Sequence, residues 1–72
     1  MNTNITIAAA STDAAIETTI RAEFPDAPAE VNTAVDHLIE RVQSAAYQVN
    51  AGKRGSVDIT DEHLDITVTI TT

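Results

Sequence analysis

The sequence predicts an α+β domain of order βααββ, and three observations carry that expectation. Residues near both ends alternate polar and apolar at the period of a strand, and the middle repeats apolar residues at helical spacing. Two prolines divide that helical stretch in two. This order is expected to build a two-layer sandwich: a three-stranded mixed or antiparallel sheet with two helices on one face.

Asn4-Ile5-Thr6-Ile7-Ala8-Ala9 opens the pattern, with Ile5, Ile7 and Ala9 expected to face inward from a first strand. Ser11, Thr12 and Asp13 then offer side-chain oxygens to the orphan amides of a helix's first turn, so a helix is expected to start there. Its apolar stripe is Ile16, Ile20 and Phe24, and Glu17 precedes Arg21 by four residues in the favourable ion-pair orientation. The stripe is narrow and Thr18 and Thr19 lower helix propensity, so docking must stabilise this helix.

Pro25 disfavours helical geometry at Phe24, whereas Pro28 suits the start of a new helix. From Pro28 to Asn50, Val31, Val35, Leu38, Ile39, Val42, Ala45, Ala46 and Val49 fall on one helical face. The helix is expected to end at Gly52, which accepts a left-handed cap, with Lys53 and Arg54 beside the negative end of the dipole. Val57–Thr60 and Leu64–Thr71 alternate strictly and read as a hairpin. Keeping their apolar residues on one face pairs Ile59 with Ile66, Thr60 with Asp65 and Asp58 with Thr67, leaving Asp61 to Leu64 as the loop. In that register the stretch from Ile70 to Thr72 needs a partner from the first strand or from another chain. Spatial order 1-3-2 uses the long last strand best, with 1-2-3 as the alternative.

Seventy-two residues are expected to form a single domain, 1–72. Eleven acidic against four basic side chains give a net charge of -7, which opposes direct nucleic-acid binding through the phosphate backbone. Without cysteine, neither a disulfide framework nor a zinc-thiolate site is available. Met1–Ala10 has no basic residue and no long apolar run, so neither a signal peptide nor a membrane anchor is expected and a cytoplasmic protein is the default.

Candidate functional residues fall into two groups. Asp58, Asp61, Glu62, His63 and Asp65 gather around the hairpin, but they lack the alternating ligands and central glycine of a calcium loop, so no metal is expected there. As a negative knob they suit a basic partner, because complementary charge raises encounter rates without fine geometry. Tyr47 falls opposite the Val35, Leu38 and Val42 stripe, among Thr33, Asp36, Glu40 and Gln43, and is expected to be exposed. The outer sheet face presents Asn4, Thr6, Asp58, Thr60, Asp65, Thr67, Thr69 and Thr71, which suits a solvated face of a one-sided sheet.

No nucleophile stands in a recognisable context, His37 has carboxylates nearby but no evident pocket, and Gly52-Lys53-Arg54-Gly55 follows the wrong helix end for phosphate. Neither an enzyme nor a cofactor is expected. The leading reading is a small acidic interaction module that uses Asp36, Glu40, Tyr47, Asp58, Asp61, Glu62 and Asp65 to engage a protein partner with a basic surface. Its narrower form is an inhibitor of a nucleic-acid-handling protein, of the kind phages encode. The alternative is a structural or assembly protein whose charge serves only solubility, or reflects adaptation to high salt or base composition. Scarce aromatics, Phe24 and Tyr47 alone, leave a thin core and favour a homodimer.

Overall fold

In the computed structural model, which describes residues 2–72, the elements run β1 (Thr3–Ala8), α1 (Asp13–Arg21), α2 (Ala29–Asn50), β2 (Val57–Asp61) and β3 (Ile66–Thr71). The βααββ order matches the expectation. The sheet is three-stranded, mixed and open, in the order β1-β3-β2. β1 runs parallel to β3 and β2 antiparallel to it.

β3 takes the centre because it carries the cleanest apolar alternation. Ile66, Val68 and Ile70 are 0% exposed, while Thr67, Thr69 and Thr71 between them are only partly covered. Those isoleucines and valine join Ile7 and Ala9, Ile16 and Ile20 of α1, and Val35, Leu38, Val42 and Val49 of α2 in one core cluster. Every buried sheet residue thus shares one parity, as a sheet with one wet face requires. α2 packs against β2 and β3, and α1 packs against α2.

The helix ends obey local chemistry. The Thr12 side chain accepts from the Ala15 amide at 3.1 Å and caps α1. Pro28 precedes α2 without a side-chain cap, its carbonyl accepting from the Asn32 amide at 2.9 Å. At the other end the Lys53 amide donates to the Gln48 carbonyl at 3.0 Å and the Gly52 amide to Val49 at 3.1 Å. That pair of bonds is a Schellman motif, and it requires the φ of +76° that Gly52 adopts.

The hairpin register departs from the expectation by two residues. Ile59 pairs with Val68, Thr60 with Thr67, Asp58 with Thr69 and Asp61 with Ile66. A slip of two preserves parity, so every side chain keeps its predicted face. The cause lies in the loop. The Asp61 carboxylate accepts from the Leu64 amide at 3.0 Å, and Asp65 turns left-handed with a φ of 56°, so Leu64 and Asp65 close a turn instead of beginning the strand. In the observed register Ile70 lies between Val57 and Ile7, and Thr71 beside Ala8, so neither needs a partner from another chain.

Candidate functional site

The surface of α2 has two flanks of different character. On the first, Asp36, Ile39, Glu40 and Gln43 form a shallow groove with Glu17 and Arg21 of α1. The helices run antiparallel here, because Gln43 Nε2 donates to the Asp13 carbonyl at 3.1 Å while Arg21, at the other end of α1, reaches Asp36. Arg21 Nη2 contacts Asp36 Oδ1 at 2.5 Å and its Nε contacts Glu17 Oε2 at 2.9 Å. The hydrogen bond to Asp36, and next that to Glu17, pushes the guanidinium above the ordinary arginine range. Arg21 therefore stays cationic at any usable pH and links one carboxylate from each helix.

On the opposite flank, Arg41 reaches the hairpin. Its Nη2 lies 3.1 Å from Asp61 Oδ2, and the other oxygen of that carboxylate holds the Leu64 amide. The Asp61 side chain is only 17% exposed. It fixes the loop and ties it to α2.

Asp36, Glu40 and Tyr47 occupy a ridge between these flanks and open water, within about 40° of arc on an ideal helix. Tyr47 is 71% exposed, the sole large hydrophobic side chain so exposed among the described residues, and Glu40 has no cation partner among them. Glu62 and His63 stand exposed in the hairpin loop, and Asp65 is exposed at its end. Asp58 accepts from the Thr69 hydroxyl at 2.8 Å, and the Thr60 and Thr67 hydroxyls meet at 3.1 Å. Asn2 Nδ2 also donates to Thr67 Oγ1 at 3.0 Å, so lateral hydrogen bonds link neighbouring strands on the outer face.

The seven acidic and aromatic candidates thus divide into two patches. Asp36, Glu40 and Tyr47 form one, and Asp58, Asp61, Glu62 and Asp65 surround the hairpin that Arg41 contacts from the other flank. Two arginine contacts that hold these patches in place, Arg21 to Asp36 and Arg41 to Asp61, were not anticipated from the sequence. The spacing of Glu17 and Arg21 signalled half of one cluster, but the Asp36 and Asp61 contacts depend on how the elements pack. His37 is exposed, and among the described residues no three His, Cys, Asp or Glu side chains converge on a possible metal position. No described helix is long and apolar enough to cross a membrane.

Compared with protein-family models, with curated proteins and with solved structures, the chain matches none.

Proposed function

We propose that the chain is a non-enzymatic interaction module that presents the Asp36, Glu40 and Tyr47 ridge of α2 to a basic protein surface. The carrying observation is Tyr47, held 71% exposed on a long helix and about two turns along the same ridge from Glu40, with Asp36 one turn beyond. A tyrosine in that position brings a large contact area with little side-chain entropy to lose, and its hydroxyl satisfies a polar rim. Glu40 supplies charge that no side chain of the described chain neutralises, whereas Asp36 is held in orientation by Arg21. The hairpin carboxylates add a second negative surface that steers approach.

The test is capture of binding proteins from native cells on the immobilised chain, repeated with variants that keep the far-UV circular dichroism unchanged. Tyr47→Ala is expected to weaken retention by at least about tenfold, as an interface anchor does, and Glu40→Lys by a similar factor. Asp13→Lys, at the start of α1, should matter little. Glu62→Lys probes the hairpin better than Asp61→Lys, because Asp61 also holds the loop. Retention that persists unchanged in high salt, or in Tyr47→Ala, would sink the proposal. In the narrower form, in which the partner handles nucleic acid, duplex DNA competes for the captured protein.

A further inference from the structure

The sheet is open, and its two edges differ in a way that selects what can add to them. On β1, the Thr3 amide donates to the Asp65 carbonyl at 2.9 Å and the Ala9 amide to the Thr71 carbonyl at 2.7 Å. The period of two along a strand then turns the Ile5 and Ile7 backbone groups to β3 and those of Asn4 and Thr6 to the open edge. Ala8 shares that edge, but its carbonyl already accepts from the Ser11 amide at 3.0 Å.

Residues 2–12 contain no charged side chain and no proline, the usual means of blunting an edge strand. β2 differs: it bears Asp58 and Asp61 and leads directly into Glu62. A chain of net charge -7 repels its own copy over most of its surface. Pairing β2 with β2 would add further carboxylates to that repulsion, whereas β1 offers backbone donors and acceptors beside neutral, largely β-branched side chains.

From these edges we infer that β1 is a self-association site, at which β1 of a second copy adds antiparallel about a two-fold axis at Ile5. This register pairs Asn4 of each copy with Thr6 of the other through their outward backbone groups. It places Ile5 against Ile5 in the non-hydrogen-bonded position, where opposing side chains approach most closely. Ile5 is half-buried beside the core, so the contact covers apolar surface that the single chain leaves wet. An axis at Thr6 would lose more, because its inner pairs of Asn4 with Ala8 call on the Ala8 carbonyl that Ser11 already occupies, whereas an axis at Ile5 meets Ala8 only where the ladder would extend to Asn2. The inference is independent of the basic-partner reading, because β1 contributes none of the α2 ridge.

Light scattering and sedimentation on the full chain over a dilution series test it. The expected mass approaches twice the 7.6 kDa of one chain at high concentration and falls on dilution. Thr6→Pro removes an outward amide without touching the ladder to β3, and should weaken association by about tenfold or more with unchanged circular dichroism. Ile5→Cys introduces a single thiol into a cysteine-free chain. Opposed residues at such a position lie about 4.5 Å apart between Cα atoms, within disulfide reach, so mild oxidation should link two copies. Asp58→Cys on the other edge should not cross-link. Added salt should leave the dimer intact or tighten it, the reverse of its effect on a basic partner. A monomer at every concentration, a dimer indifferent to a folded Thr6→Pro, or cross-linking through Asp58→Cys in place of Ile5→Cys overturns the inference. Should Thr6→Pro fail to fold, the two cysteine variants decide.

Discussion

The two helices meet along one groove but are stabilised by different means. α2 spans 22 residues, has no side-chain cap at its start, and buries Val35, Leu38, Ile39, Val42, Ala45, Ala46 and Val49. α1 spans nine residues, is capped by Thr12 and buries only Ile16 and Ile20. A nine-residue helix is too short to persist alone in water, so α1 depends on its cap, its ion pair and its place against α2. α2 is the element on which the rest closes, and local details at its ends matter less to whether it forms. The proposed partner ridge lies on that rigid member, with α1 as its softer border.

Leu38→Ala should separate the two helices most sharply. It removes a fully buried side chain from the centre of α2 and should reduce stability by about 3 kcal/mol in urea unfolding followed by far-UV circular dichroism. A domain of this length commonly has only about 4–10 kcal/mol in total, so the loss should be global. A change confined to α1 would contradict the ranking.

Gly52→Ala comes next. At a φ of +76° a Cβ is strained although no atom obstructs it, and the expected cost is about 1 kcal/mol with hydrogen exchange quickened mainly in the last turn of α2. Thr12→Ala should cost about the same, near 1 kcal/mol, but its effect belongs to α1. Amide exchange within Asp13–Arg21 should accelerate while α2 amides move little, and equal acceleration in both helices would show that α1 does not open separately.

Arg21→Ala should be the mildest. Its pairs with Glu17 and Asp36 are substantially exposed, so at most about 1 kcal/mol is at stake and salt should erase it. A larger loss that salt leaves untouched would mean the groove depends on the arginine's packing as well as its charge.

Much of this contrast was legible in the residues. The spacing of Ile16 and Ile20 against the long run from Val35 to Val49 already set a narrow stripe beside a broad one, and Thr12 and Gly52 carried the chemistry of their caps. The exposure of Tyr47 followed from its position opposite Leu38 and Val42. The hairpin register did not follow, because alternation fixes which face a residue takes but is satisfied equally by shifts of two. What decided it was turn chemistry: Asp65 looked like an ordinary strand residue on the polar face but turns left-handed, and Asp61, expected to open the loop, instead ends the ladder and holds the turn through its carboxylate. The candidate site was legible as a set of acidic residues but not as two patches, since nothing near Arg21 or Arg41 in the chain names Asp36 or Asp61 as its partner.

Tyr47 also determines how this molecule can be watched. It is the only tyrosine, there is no tryptophan, and the one phenylalanine absorbs weakly. The dominant near-ultraviolet chromophore therefore already sits in solvent before denaturant is added, and its emission should be almost blind to melting. The same ring would lose its water on docking, which makes this protein a built-in optical reporter of contact whose quenching by iodide should fall when a partner covers it.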